Sequence, residues 1–350
     1  MINYRLATYQ DNQQLIELTA ASGMIGDISL RIDRKPDFFN LLHRRGSTKV
    51  FVAEDDNTIV GSLCVSLQDV YVGEQIFPLL YIGDFKVAAP YRNKGIGMQL
   101  CNEMASYVIS MDADLAFLNI SSGNTKPVSF FKDRPQVPDF ENIGVFNIHQ
   151  FIGKKRKITA PSFTIVSAPV TDELVQFFNS HYCKYEMGSV ITGKKLEESE
   201  CFVIRRDEEI IAAMCLLDTM GFKQNVVTGL SWKLKYLLKG INSVSRVSGI
   251  SRMPIMNEPV RMMYIKHLVV NNHEKELVRL MIQHARNIVY KKAYSFVSVG
   301  LHEKDPLNKC FYGMLKLTFN SVGMLLSIKN NKVLIDKVKQ GIPFEDYSLV

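Results

Sequence analysis

The sequence predicts a mixed α/β chain (α+β in its succession of elements) built as two tandem domains, and three observations carry that expectation. At 350 residues the chain is long enough for two hydrophobic cores rather than one. Its apolar segments pass back and forth between strand-like runs and helix-like four-residue spacing. The series of elements in the first half then returns, in the same order, in the second.

Residues 4–7 (Tyr-Arg-Leu-Ala) read as a short edge-like strand. Asp11 is placed to cap a helix carrying Leu15, Ile16, Leu18 and Thr19, which ends near Gly23. Residues 38–42 support a second helical piece. Residues 49–54 and 58–63 are strands joined by Asp55, Asp56 and Asn57, turn residues where a hairpin needs them. A further strand pair, 70–72 and 76–80, leads into the stretch around which the rest is organised. There, residues 81–87 (Tyr-Ile-Gly-Asp-Phe-Lys-Val) form an apolar strand, Ala88, Ala89, Pro90 and Tyr91 turn the chain, and Arg92-Asn93-Lys94-Gly95-Ile96-Gly97 follow. An amphipathic helix comes next, with Ile96, Leu100, Met104 and Val108 on one face. Residues 115–120 are a buried strand, and residues 124–132 begin another helix with Pro127 in its first turn.

Residues 153–157 (Gly-Lys-Lys-Arg-Lys) are a basic run between two apolar segments and read as a solvated linker. Residues 162–167 then repeat the opening strand, and Thr171 starts a helix through Val175, Phe178 and His181. A hairpin of 201–205 and 210–217 turns at Asp207, Glu208 and Glu209. The strand 262–270 runs at once into a helix carrying Leu277, Leu280, Met281 and Ala285. The strand 295–300 follows, and Asp305-Pro306 opens the next helix. Tyr81-Ile82 has its counterpart in Tyr264-Ile265, and 127–131 in 306–312. The domain boundaries are accordingly 1–158 and 159–350, with 221–259 an insertion that has no partner in the first half. The insertion holds the only tryptophan, Trp232, and a basic, apolar stretch at 233–239. It is readable as a lid or binding loop, as a face for a membrane surface or an acyl chain, or as an ordinary packed excursion.

A strand feeding a glycine-bearing loop that opens a helix presents several backbone N–H groups to one anion. The orphan amides of the first helical turn and the positive end of the dipole both favour phosphate there. Gly95 and Gly97 leave room for a ligand close to the backbone, and Arg92 and Lys94 add positive charge. Competing phosphate loops fit worse. No Gly-x-Gly-x-x-Gly follows a strand, and the near-match at 188–195 ends in Lys195, so it lacks the Mg²⁺-binding hydroxyl. The net charge of +7 suits an anionic partner, but the cations are scattered, so nucleic-acid binding is not expected. The six cysteines show neither CxxC nor metal-ligand spacing, so no metal is expected and free thiols in the cytoplasm are. The opening Met-Ile-Asn-Tyr-Arg lacks the charged-then-apolar layout of a signal peptide, so none is expected, and the longest apolar run, 210–217, is far too short for stable membrane insertion.

Arg92-x-x-Gly95-x-Gly97, preceded by Val87-x-x-Pro90-Tyr91, resembles the pyrophosphate loop of the Gcn5-related N-acetyltransferases (GNAT), Arg/Gln-x-x-Gly-x-Gly/Ala. The element order over nearly all of 1–158 is similar to that family's fold. The resemblance implies two tandem acetyltransferase-like domains, each a twisted mixed β-sheet flanked by helices. It implies acyl transfer from acetyl-CoA, or a longer acyl-CoA, to a small-molecule or peptide amine, by direct attack in a ternary complex. The loop residues Arg92, Asn93, Lys94, Gly95, Ile96 and Gly97 would hold the diphosphate, and backbone groups of Phe85 and Val87 the pantetheine and thioester carbonyl. Asn124 would contact a pantetheine amide.

This chain departs from the family in three places. The frequent Glu-Asp pair stands here as Gly83-Asp84, leaving Asp84 as base, as anchor for the acceptor ammonium, or as a buried structural carboxylate. The usual tyrosine acid is Phe131, which would merely pack beside the sulfur. In the second copy, Asn271, Asn272, His273, Glu274, Lys275 and Glu276 stand where the glycines belong, and two glutamates at a helix start repel a diphosphate. The second copy is therefore expected to bind no coenzyme. A non-catalytic acyl-CoA-binding sensor is the competing expectation.

Overall fold

A computed structural model describes residues 1–23, 28–122, 140–156 and 163–350. The first half supplies β1 (Asn3–Leu6), α1 (Asn12–Ala20), β2 (Ile28–Asp33), α2 (Phe38–Arg45), β3 (Ser47–Asp55), β4 (Thr58–Val72), β5 (Gln75–Val87), α3 (Ile96–Ile109), β6 (Leu115–Ser121) and β7 (Glu141–Ile152). The second supplies β8 (Ile165–Ser167), α4 (Asp172–Tyr182), β9 (Gly188–Ser189), α5 (Gly193–Leu196), β10 (Glu200–Arg206), β11 (Glu209–Asp218), β12 (Gln224–Leu230) and α6 (Trp232–Ser248). It continues with β13 (Met262–Val270), α7 (Lys275–Lys291), β14 (Phe296–His302), α8 (Leu307–Cys310), β15 (Lys316–Ser327) and α9 (Lys332–Gln340).

Twelve strands run in the order β1-β3-β4-β5-β6-β15-β7-β14-β13-β11-β10-β8, with β9 beside β4, making 13 strands among the described residues. Read from either end the order is the same series: five strands of one half, two exchanged strands at the centre, then five of the other. Val322 in β15 pairs with Ile120 on one side and Val145 on the other, while Phe146 in β7 pairs with His302. Each half thus lends a strand across the middle. Along the chain the halves follow one another, but in the sheet they interlock.

Two equivalent cores flank the sheet. In one, Ile96, Leu100 and Val108 of α3 pack on Leu63, Leu80 and Ile120, as their spacing predicted. In the other, Leu277, Met281 and Ala285 of α7 pack on Met214, Ile265 and Val299. Fully burying each of the larger side chains, Leu, Ile, Val or Met, contributes about 1.5–3 kcal/mol. Gly61 lets α3 approach β4, because a Cβ there would lie 3.2 Å from Ile96 and 3.1 Å from Leu100.

The four short strands expected over 58–63, 70–72, 76–80 and 81–87 are two long ones, β4 and β5. Their far ends are drawn out by a third cluster, in which Val70, Val72 and Leu79 pack with Met187, Leu334 and Val338. The insertion is not a free loop. Its strand β12 pairs with β2 of the first half in a separate two-stranded sheet, with Gln224 opposite Asp33.

Candidate active site

Among the described residues the parallel strands β5 and β6 pair where Leu79, Leu80 and Tyr81 meet Leu115, Ala116 and Phe117, and they part beyond that point. Past that point β5 carries a bulge in its ladder with β4. Ser62 pairs with Lys86 and Cys64 with Gly83, so Asp84 and Phe85 together oppose Leu63. Asp84 takes the left-handed conformation there (φ 47°), and Ser62 Oγ donates to its carbonyl oxygen at 3.0 Å. A bulge re-aims backbone groups that a regular ladder would consume.

Eight residues, 88–95, lead from β5 to α3. Asn93 (φ 62°) and Gly95 (φ 81°) are both left-handed, and Gly95 is the residue before the helix. No side chain caps the helix, so its first amides are left to an external acceptor. A Cβ built on Gly95 meets nothing within 4 Å, which makes the position open space in front of a helix N-terminus. Arg92, Asn93 and Lys94 are exposed around it. The Arg92 Nε donates to the Val87 carbonyl at 3.1 Å, and Lys94 lies over the Tyr91 ring at 5.0 Å. Tyr91 in turn donates to Asp55 at 2.9 Å, tying the loop to the β3–β4 hairpin. Ile96 is buried as the first anchor of the helix. This constellation fits a phosphate-bearing ligand: open space, an uncapped helix start and two flexible cations.

Asp84 is held from both sides. Its Oδ2 accepts from Arg34 Nη2 at 2.8 Å and its Oδ1 from Lys86 Nζ at 2.9 Å, with the Asp84 side chain only 8% exposed. Burial alone would raise the carboxyl's pKa. The Arg34 and Lys86 cations outweigh it and hold the group well below the usual carboxylate range. Arg34 itself is buried, and its Nε and Nη1 have no hydrogen-bond partner among the described residues.

Sequence reasoning missed Arg34, Lys86 and Lys223. The two-stranded sheet brings two of them in, because Arg34 follows Asp33 and Lys223 precedes Gln224, the residues paired across it. Lys223 donates to the carbonyl oxygens of Tyr347 (3.3 Å) and Val350 (2.8 Å). Burial, helped by Arg34, pushes its amine down to about 7. The only available signal was a lysine just after Phe222, which alone says nothing of where it points.

The missing glutamate has a physical reason. A Cβ on Gly83 would lie 2.7 Å from the Tyr81 ring, and that ring is stacked under the Arg45 guanidinium at 3.5 Å. Asn124 and Phe131 lie outside the described residues.

The corresponding fork of the second half, between β13 and β14, is filled. Tyr182, Tyr185, Phe344 and Tyr347 close it down to a void of about 20 Å³, room for about one water. At the helix start that follows, Asn272 and His273 are left-handed and Glu274 pairs with Arg206 at 3.5 Å.

A fork in a mixed sheet, a bulge on its first strand and an uncapped, glycine-led helix thus stand together in the first half of the chain. Residues 12–134 match the model of the acetyltransferase (GNAT) family. The whole chain has the fold of tandem GNAT proteins. It aligns with a tandem GNAT protein from the clavulanic acid biosynthesis pathway at TM-score 0.58 and 12% identity, covering 93% of this chain and 98% of that one. A Saccharomyces cerevisiae N-myristoyltransferase with bound myristoyl-CoA aligns at TM-score 0.63 and 10% identity, over 93% of this chain and 82% of that one. A GCN5-related N-acetyltransferase from Anabaena variabilis aligns at 0.53 and 11% identity, over 93% and 72%. A comparison with curated protein sequences finds no match.

Proposed function

We propose that this chain is an acyl-CoA-dependent N-acyltransferase that moves an acetyl group from acetyl-CoA to a primary amine by direct attack in a ternary complex. The observation that carries this reading is the sequence of bulge, turn and uncapped helix along one stretch, 84–97, beside the fork of β5 and β6. Backbone amides of Asn93, Lys94, Gly95, Ile96 and Gly97, with the Arg92 side chain, form the cradle for the diphosphate. Phe85 and Val87 stand where pantetheine would run, and Asn124 and Phe131 remain assigned to the coenzyme by resemblance.

Bound acyl-CoA supplies an activated carbonyl, and the chain's own part is to align an amine with it, exclude water and present fixed dipoles. Asp84 enters as an ionised anchor of the bulge rather than as a base. Both its oxygens are taken by cations, and a carboxylate so strongly acidified accepts protons poorly near neutral pH. The six cysteines are unpaired, which suits the cytoplasm as the place of reaction. The acceptor is a small-molecule or peptide amine.

Release of free thiol from acetyl-CoA, measured against a panel of polyamines, amino acids, aminoglycosides and peptides, tests this directly, and one acceptor is expected to stimulate release. The same assay with myristoyl-CoA decides the donor, since the yeast neighbour holds that ester. The sensor reading draws support from the occupied Asp84. Tight coenzyme binding with no turnover on any amine would establish it instead.

Gly95→Asn separates the loop's chemistry from its folding. Asparagine tolerates the left-handed region and its Cβ meets no neighbour, so the cost to stability is expected to stay below about 1 kcal/mol. Affinity for acetyl-CoA is expected to fall at least about tenfold, a loss of roughly 1.4 kcal/mol. Calorimetric titration beside thermal melting checks both, and an unchanged affinity would remove this loop from the binding site.

A further inference from the structure

The helix α6 is apolar on two faces. Leu238 and Ile241 pack on the cluster of Val227, Met253, Val260 and Phe296. On the opposite side Trp232, Tyr236, Leu237, Val244 and Val247 are exposed, Trp232 at 69% and Val247 at 94%. At about 100° per residue these five fall within an arc of about 140°. Lys235 and Lys239 border that arc and Lys233 lies within it, all three exposed. A helix that buries one apolar face and bares another normally has a second partner.

The charge around it is one-sided. Residues 224–257 contain five lysines or arginines and no aspartate or glutamate. A groove of about 760 Å³ opens beyond the C-terminal end of the same helix, with Ile250 in its wall. The 154–156 segment joins the two features, since Lys155 N donates to the Gly249 carbonyl at 2.8 Å and Lys154 bridges to Ile250. The groove's charged lining is Lys154, Arg156, Lys275, Arg279 and Arg286 against Glu276 alone. None of these five cations pairs with a carboxylate among the described residues. Exposed Leu315 extends the apolar surface at its edge.

We infer that this face docks the protein on a bilayer rich in anionic phospholipid, the outer side of α6 lying in the interface and the groove taking a headgroup phosphate. The chemistry selects that partner over the alternatives. Trp and Tyr suit the headgroup boundary, and the lysines reach anionic phosphates from beside an apolar surface. A second copy of the chain would oppose this basic face to itself, with no acid in 224–257 to compensate. The inference concerns α6 and the groove beyond its end and stands apart from the acyl-transfer reading.

Because Trp232 is the only tryptophan, its emission reports the contact directly. The full chain is titrated with vesicles of phosphatidylcholine, alone and mixed with phosphatidylglycerol. The expected result is co-sedimentation with the mixed vesicles and a blue shift of the Trp232 emission, both reversed by high salt. Lys233→Gln, Lys235→Gln and Lys239→Gln together should weaken vesicle binding by about fivefold per lysine, with circular dichroism unchanged. Lys154→Gln with Arg156→Gln should weaken it likewise, and an unchanged affinity there would overturn the groove's role. Failure to sediment with either vesicle, or equal binding to neutral vesicles that ignores the lysine variants, would overturn the inference. So would an emission shift that needs only higher protein concentration, with doubled mass in light scattering, because a second copy would then cover the face.

Discussion

Asp84→Ala is expected to destabilise the fold by about 3–5 kcal/mol and to abolish acyl transfer in the same stroke. The carboxylate is the common partner of Arg34 and Lys86, and Arg34 is 4% exposed with two further nitrogens already unmet. Removing the acid leaves a guanidinium buried without a counter-charge, which costs far more than the lost contact. Asp84→Asn keeps the shape of the bulge and one acceptor oxygen, so its loss is expected to be smaller, and the difference between the two variants measures the charge. Denaturant unfolding at neutral pH gives both values. A wild-type midpoint for Asp84→Ala would mean the pair does not hold the bulge. The pH dependence follows from the direction of the shift. The native carboxyl's pKa lies below its unfolded value of about 3.9, so its stabilisation is complete above that pH. It is lost as pH falls toward the native pKa, and acid unfolding should begin at higher pH in Asp84→Asn.

Arg45→Leu carries the second large effect, also about 3–5 kcal/mol at neutral pH. Arg45 donates to Glu345 at 2.8 Å and to the Leu349 carbonyl at 3.0 Å, with side-chain exposures of 3% and 2% for the charged pair. Burial pushes the Glu345 carboxyl upward, and Arg45 offsets this only in part. Without the arginine the acid escapes by taking up a proton, so the destabilisation should shrink measurably between pH 7 and pH 5. The consequence reaches beyond the pair. Phe344 and Tyr347, on the segment that Arg45 fastens, help fill the second fork. Their release should make that segment more susceptible to limited proteolysis. Equal unfolding midpoints for wild type and Arg45→Leu at both pH values would contradict this picture.

What could be read in the sequence was local. Leu15, Ile16, Leu18 and Thr19 are buried on one helix face as their spacing required. Asp56 and Asn57 are left-handed at the hairpin turn, as are Asp207 and Glu208 in the second. The strand, loop and helix of 81–109 stand where periodicity and glycine placement set them. What could not be read depends on partners far away in the chain. The alternation in β2 is ordinary for a strand, yet its partner β12 lies some 190 residues on, where nothing in either segment names the other. The exchange of β7 and β15 is hidden for the same reason, because a strand's apolar pattern specifies a face and not a neighbour. Arg34 and Lys223 follow from that pairing and so were invisible with it. The low basicity of Asp84 is likewise set by cations that tertiary structure delivers, and residue type alone left base and anchor equally open.

The central claim is that an acyl-CoA diphosphate rests on the main-chain amides between Asn93 and Gly97, in front of α3. A crystal structure of the protein grown with acetyl-CoA measures this most directly. The expected density places both phosphates within hydrogen-bond distance of those amides, with the pantetheine running along β5 past the Asp84 bulge. Coenzyme lodged between β13 and β14, or a loop at Gly95 closed by its own side chains in the presence of saturating ligand, would contradict it.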